Sequence, residues 1–180
     1  STVAEPIGAV KHHDNNRNWV MVRQFNGYNY LAYLVDKNGV IDCPVITKTD
    51  IYIGKSTDPS SAQNNVAFSP NGLFFAGTYS TVYKFDFFSF NSFKGTLENP
   101  IYFDNIETTT GVQFSANAQY LYPSKRDYEI IQFKTKYSTK NGLINYLYKI
   151  PNVYNYKFDL KLTPKQQMLI IQQGAQFYGK

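Results

Sequence analysis

The stretch that decides the fold is VAFSPNGLFF, residues 66–75, which recurs twice further along the chain. The later copies are VQFSANAQYL at 112–121 and LKLTPKQQML at 160–169, so the anchor residues Phe68, Phe114 and Leu162 stand 46 and then 48 residues apart. The blades of β-propellers repeat with periods of about 40–50 residues. The spacing therefore predicts one propeller blade for each copy.

Each copy has the pattern of antiparallel hairpins. Ser69-Pro70-Asn71-Gly72 has proline where a β-turn fixes φ and Asn-Gly where positive φ is tolerated. In VYKFDF at 82–87, aromatic residues alternate with polar ones, the period of a strand. A weaker first copy contains the strand patterns NWVMVR at 18–23 and YNYLAYLV at 28–35. No segment has a convincing helical stripe.

These patterns predict an all-β chain made of β-propeller blades, each a four-stranded antiparallel sheet. The expected ring is incomplete, with three blades and part of a fourth at approximately 10–50, 51–105, 106–153 and 154–180. The second and third copies lack the turn glycine, which indicates that the repeats have diverged in sequence. An unfinished blade leaves an unpaired edge, so we expect a piece of a larger protein or a ring completed by another segment.

FSPNG at 68–72 resembles the FSPDG signature of WD40-like and YVTN-type propeller repeats, with Asn71 in place of the usual aspartate. The order of motifs resembles the propeller region of large secreted Bacteroidota proteins of the gliding-motility and type IX secretion kind. The matching motifs are VKHH (10–13), WVMV (19–22), YLAYL (30–34), GV (39–40), VYKFDF (82–87), GVQFS (111–115) and IIQF (130–133). The C-terminal sorting domain of that family is absent from this sequence. The resemblance implies secretion or a place on the outer surface of a Gram-negative bacterium, with the periplasm as the alternative. It supplies no catalytic residues.

Composition narrows the class of protein. Hydrophobic residues make up 43% and aromatic residues 17% of the 180 residues, which is typical of β-rich chains. No apolar run reaches the roughly 20 residues that cross a bilayer, and no secretion signal begins at Ser1. The single cysteine excludes an internal disulfide and a cysteine-based zinc site. Because Cys43 lies in the apolar run IDCPV at 41–45, it is predicted to be a small buried side chain.

Residue types that could support catalysis or metal binding are few. His12 and His13 are adjacent and would point to opposite faces of an extended segment, so we expect a solvated loop entering the first blade. The run 14–18 lacks the glycine and terminal glutamate of a calcium loop. The sequence has no nucleophile elbow, P-loop or dinucleotide fingerprint. The remaining carboxylates are predicted to be turn caps and solvated edge residues: Asp86, Asp104, Glu107, Asp127 and Asp159. We therefore predict no catalytic, cofactor or metal site.

Charge is divided unevenly along the chain. Residues 1–122 carry eight basic and ten acidic residues (net −2), whereas residues 123–180 carry ten and three (net +7). The basic part contains a possible surface for an acidic partner, formed by Lys125, Arg126, Lys134, Lys136 and Lys140. The alternative is that its aromatics pack between blades while the lysines face solvent. Nucleic acid is not the expected partner.

These observations predict a non-catalytic binding or structural module that contacts a protein or an anionic polysaccharide at the cell surface. Other segments of the same or a partner chain would complete the propeller. One alternative is a propeller enzyme acting on a glycan or a lactone, and another is a periplasmic envelope scaffold. Propeller enzymes gather acids, histidines or metal ligands from several blades at the channel, and the candidates here stand at inequivalent repeat positions. The chain is therefore predicted not to be an enzyme.

Overall fold

The computed structural model describes residues 3–54, 64–79, 82, 84–104, 108–125, 130–136, 148–150, 157–162 and 168–173. The regular secondary structure in these ranges consists of β-strands, in four antiparallel sheets that we call blades 1 to 4. None of the described residues lies in a helix, and so none belongs to a helix able to cross a membrane.

Blade 1 has five strands. Strands β1, β2 and β3 pair in sequence order, and both β4 and β5 pair with β3. Its strands are β1 (Val3–Lys11), β2 (Asn18–Gln24), β3 (Gly27–Asp36), β4 (Gly39–Val40) and β5 (Val45–Ile53).

The other blades follow the sequence repeat more closely. Blade 2 contains β6 (Asn64–Phe68), β7 (Phe74–Tyr79), β8 (Lys84–Asn91) and β9 (Thr96–Phe103). Blade 3 contains β10 (Thr108–Phe114), β11 (Tyr120–Lys125), β12 (Ile130–Lys134) and β13 (Tyr148–Ile150). The described part of blade 4 contains β14 (Lys157–Leu162) and β15 (Met168–Gln173).

The blades meet through their first strands, since β1 packs beside β6, β6 beside β10, and β10 beside β14. These are the inner strands of the ring. The repeat anchors Phe68, Phe114 and Leu162 are each the last residue of an inner strand. The structure thus confirms the all-β, incomplete propeller predicted from the repeat.

The turn after the inner strand is the same in blades 2 and 3. In blade 2, Ser69 Oγ accepts the Phe74 N–H at 2.9 Å and contacts Asn71 Oδ1 at 2.7 Å. In blade 3, Ser115 Oγ accepts the Tyr120 N–H at 3.0 Å, and the matching contact to Asn117 is 2.8 Å. The turn of blade 3 has therefore kept this geometry without the glycine.

Among the described residues, two apolar cores lie between successive blades, on either side of blade 2. The core between blades 1 and 2 includes Trp19, Met21, Phe75 and Phe88, and the core between blades 2 and 3 includes Phe85, Phe87, Phe114 and Phe133. Alternate residues of a strand face opposite sides, so an interior blade must be apolar on both faces. This requirement explains the high content of aromatic residues.

The prediction for Cys43 is wrong, because its side chain is exposed. The run 41–45 reads as apolar, yet only Val45 belongs to a strand, and Cys43 lies in the connection between β4 and β5.

Candidate functional site

A cleft of about 570 Å³ opens at the carboxyl ends of β1 and β6, the inner strands of blades 1 and 2. Three backbone segments form it: the end of β1 with the following loop, the end of β6 with its turn, and the start of the β8–β9 hairpin loop. The polar residues that line it are Lys11, His12, His13, Asn15, Asn18, Ser69, Asn71 and Ser92. No carboxylate is among the described residues that line the cleft.

The loop between β1 and β2 holds the two histidines. His12 is buried, and its Nδ1 accepts the Asp14 N–H at 3.2 Å while its carbonyl accepts the Asn15 N–H at 2.9 Å. The prediction of a solvated loop entering the first blade is thus wrong for His12. The loop joins the first two strands of the blade, and the imidazole packs 5.7 Å from the Trp19 ring.

Asp14 holds this loop in shape. Its Oδ1 accepts the Asn16 N–H at 2.9 Å, and its Oδ2 accepts Arg17 Nε at 2.7 Å. Desolvation acts to raise its pKa, but the hydrogen bonds from Asn16 and Arg17 prevail and hold the pKa of this carboxyl well below its usual range. Both oxygens are engaged by the protein itself. The described residues contain no group of three or more His, Cys, Asp or Glu side chains that could hold a metal ion.

His13 differs from His12 in being exposed at the cleft. Its ring stands edge-on to Phe93, with centroids 5.1 Å apart, and edge-on to His12 at the same separation. Its backbone N–H donates to the Ser92 carbonyl at 3.4 Å, which ties blade 1 to the β8–β9 hairpin. Aromatic contacts on two sides therefore orient an imidazole that solvent and ligands can reach.

A second polar group lies deep between blades 1 and 2, away from the cleft lining. Arg23, Tyr30, Tyr79 and Asp86 are each fully buried. The Tyr79 hydroxyl donates to Asp86 Oδ2 at 2.7 Å, the Tyr30 hydroxyl donates to Asp86 Oδ1 at 3.1 Å, and the two hydroxyls contact each other. The guanidinium carbon of Arg23 lies 4.4 Å from the Tyr30 ring centroid and 5.5 Å from that of Tyr79.

Burial dominates the electrostatics of this group. Desolvation raises the pKa of Asp86 to about 6, against the opposing influence of the Arg23 charge and the tyrosine hydroxyls. Burial also raises the pKa values of Tyr30 and Tyr79 well above their usual range. Both tyrosines are therefore neutral hydrogen-bond donors at physiological pH.

The prediction that Asp86 is a solvated edge residue is wrong. Asp86 lies in the middle stretch of β8, between Phe85 and Phe87, which face blade 3. A polar residue between two core residues usually faces water, but in an interior blade the opposite face is buried as well. Sequence analysis also missed Arg23, Tyr30 and Tyr79. The period-two pattern does place Arg23 on the same face as Trp19 and Met21, and this was the available signal.

The predicted basic surface is described only in part. Lys134 is half-buried on β12, Lys136 is exposed just after it, and Lys125 ends β11. Arg126 and Lys140, as well as the side chain of Lys125, lie outside the described residues. An acidic partner for this surface stays a prediction.

Of the other carboxylates predicted to be turn caps or edge residues, Asp104 is the one whose side chain the structure describes. Asp104 is exposed and forms an ion pair with Lys84 at 2.9 Å. Glu107 and Asp127 lie outside the described residues, as does the side chain of Asp159.

Comparison with known proteins supports the fold. No family model and no curated protein matches the chain. A solved Bacteroides uniformis protein, described provisionally as a 6-phosphogluconolactonase, is 21% identical with a TM-score of 0.55, over 91% of this chain and 46% of its own. A Lactobacillus plantarum protein is 16% identical with a TM-score of 0.62, over 96% of this chain and 48% of its own. The periplasmic gluconolactonase of Pseudomonas aeruginosa is 12% identical with a TM-score of 0.52, over 92% and 50%. The chain thus spans about half the length of these β-propeller-like structures.

These neighbours correct the functional prediction. Several bear the names of lactonases, which contradicts the prediction that the chain is not an enzyme. The predicted non-catalytic binding module has no support among them. Nothing in the comparisons ties the chain to gliding or type IX secretion. At these identities, the likeness establishes the β-propeller fold alone.

Proposed function

We propose that this chain is part of a β-propeller enzyme that hydrolyses a sugar lactone, and that the cleft beside His13 is where it acts. The observation that carries the proposal is the set of side chains lining one cleft: a lysine, an exposed imidazole and several amides and hydroxyls, without a carboxylate in the described lining. The names of the lactonase neighbours support the same reaction class.

The residues have complementary roles in this reaction. His13 takes a proton from a water molecule as that water attacks the lactone carbonyl carbon, because an imidazole is the usual general base near neutral pH. The Lys11 ammonium stabilises the negative charge that develops on the carbonyl oxygen. The ring C–O bond then breaks, the leaving oxygen receives the proton from His13, and the product is an open hydroxy acid.

The remaining lining residues suit a sugar. Asn15, Asn18 and Asn71 offer amide donors and acceptors, and Ser69 and Ser92 line the same cleft. Groups of this kind bind ring hydroxyls through directional hydrogen bonds. Glycoside hydrolysis normally requires two facing carboxylates. The described lining offers none, so a lactone is a better substrate for this cleft than a glycosidic bond.

Substitutions test the assigned roles. Replacing the general base, His13→Ala, is expected to lower kcat for D-glucono-1,5-lactone by roughly 10²–10⁴-fold. Lys11→Ala should lower kcat/KM, and Lys37→Ala, an exposed lysine in the β3–β4 turn, should leave the rate unchanged. Proton release in weakly buffered solution measures all three. Equal rates for His13→Ala and Lys37→Ala would remove the cleft from the mechanism.

We also propose that the ring is completed by a further blade-like sheet that packs on the outer face of blade 1. Ile7, Val22, Leu31 and Ile46 are paired neighbours in a row across its four main strands, on the face opposite Trp19 and Met21. Ile7 is 66% and Ile46 60% exposed. Blade 2 buries both of its faces, and an apolar face of this kind on blade 1 suits the same packing.

A further inference from the structure

Between blades 1 and 2, charged and phenolic side chains are buried beside an apolar core. We propose that Arg23, Tyr30, Tyr79 and Asp86 form a latch between the two blades that holds more firmly when the solution is acidified. The proposal is independent of any activity in the cleft.

The latch draws on both blades and on four different strands. Arg23 and Tyr30 come from β2 and β3 of blade 1, whereas Tyr79 and Asp86 come from β7 and β8 of blade 2. The hydrogen bond from Tyr30 to Asp86 therefore crosses from one blade to the other. A buried bond of this kind fixes how two apolar faces align, since a shifted alignment would leave polar groups unpaired.

Gly77 lies in close contact with the latch. A Cβ added to Gly77 would lie 2.8 Å from Asp86 Oδ1 and 2.9 Å from the Tyr79 hydroxyl. Glycine at this position lets the β7 backbone approach the carboxylate, and the Gly77 backbone adds a hydrogen bond to Asp86. The carboxyl group is thus closely surrounded, and position 77 has no room for a residue larger than glycine.

Arg23 keeps its partners whether or not Asp86 is charged. Its Nη2 donates to Thr49 Oγ1 at 2.9 Å and to the Ile51 carbonyl, and its guanidinium lies over the Tyr30 ring. The ion pairs among the described residues do not include one between Arg23 and Asp86. Asp86 can therefore take up a proton without breaking a direct salt bridge, and the energetic cost of a buried carboxylate is then removed.

The titratable groups that face Asp86 act to lower its pKa, and the effect of burial outweighs them. These are Arg23, Tyr30 and Tyr79, with Tyr102 of β9 further away. Burial raises the pKa of Asp86 from 3.8 to about 6, so the folded protein binds this proton more tightly than the unfolded chain. The stabilising contribution is complete below pH 3.8 and is lost as the pH rises through about 6.

Thermal unfolding of the 180-residue chain between pH 5 and 7.5 tests the latch. The unfolding temperature of the wild type is expected to rise as the pH falls across this range. The isosteric neutral variant Asp86→Asn should show a flat profile, and Asp104→Asn, which alters an exposed carboxylate, should keep the rise. Arg23→Met should move the rise to higher pH, because the nearby positive charge is lost.

A measurement on the wild type makes the test independent of variant folding. The ¹³C carboxyl resonance of Asp86 should titrate near pH 6. It can be assigned through the backbone resonances of Asp86, or by its absence from the spectrum of Asp86→Asn. A titration near pH 4, or an Asp86→Asn profile that rises as much as that of the wild type, would overturn the proposal.

Discussion

Ala118 occupies a backbone position that suits glycine. It has φ of 57° in the blade 3 turn, where the matching residue of blade 2, Gly72, has φ of 70°. A left-handed backbone conformation costs a residue other than glycine about 1–2 kcal/mol. We expect Ala118→Gly to raise the free energy of unfolding by about 1 kcal/mol, measured by urea denaturation.

Gly72→Ala is the reciprocal change. The new Cβ would lie 3.3 Å from Val10 Cγ2, and the alanine backbone would have to adopt a positive φ. We therefore expect the free energy of unfolding to fall by about 1 kcal/mol or more. If both substitutions destabilised the chain equally, the equivalence of the two turns would be refuted.

At the scale of the strand, Phe85 on β8 holds blades 2 and 3 together. Its ring stacks on Phe103 with centroids 4.1 Å apart and lies 5.4 Å from Phe133 of blade 3. Phe85→Ala is expected to lower the free energy of unfolding by roughly 3–5 kcal/mol, as for other buried aromatics. Phe93→Ala removes a ring that is 64% exposed and should change stability by less than about 0.5 kcal/mol. A similar effect of the two substitutions would contradict the packing described between these blades.

The strands were predictable because turn residues and alternation are local signals. The motif at 68–72 and its copy at 114–118 marked the ends of inner strands, and the 46-residue spacing marked the blades. The burial of Asp86 was not predictable in the same way. A strand pattern shows that Asp86 faces away from Phe85, but only the neighbouring blade decides that this side is buried as well.

The cleft was also beyond local patterns. His13, Ser69 and Ser92 belong to three separate connections, and they come together because inner strands of consecutive blades lie side by side. The two histidines were recognised in the sequence as the only histidine cluster. Their unequal roles, one buried and one exposed, depend on the turn built by Asp14 and on the packing of Trp19 and Phe93.

For the whole molecule, the outer face of blade 1 gives a testable consequence. An apolar sheet face without its matching blade should cause the 180-residue chain to associate with itself at high concentration. The double substitution Ile7→Lys and Ile46→Lys should abolish this association in sedimentation velocity. Leu73→Lys, which changes a 55% exposed leucine in the blade 2 turn, should not. Association that survives the double substitution would place the contact elsewhere.

The most direct test of the proposed function is the rate at which the wild-type chain hydrolyses D-glucono-1,5-lactone, followed by proton release against the spontaneous reaction. The described residues that line the cleft all belong to blades 1 and 2 or to their connecting loops. Catalysis is therefore expected from this chain, with saturation in lactone concentration and a dependence on His13. A rate equal to the spontaneous one, from protein whose circular dichroism shows the folded β-structure, would contradict the account.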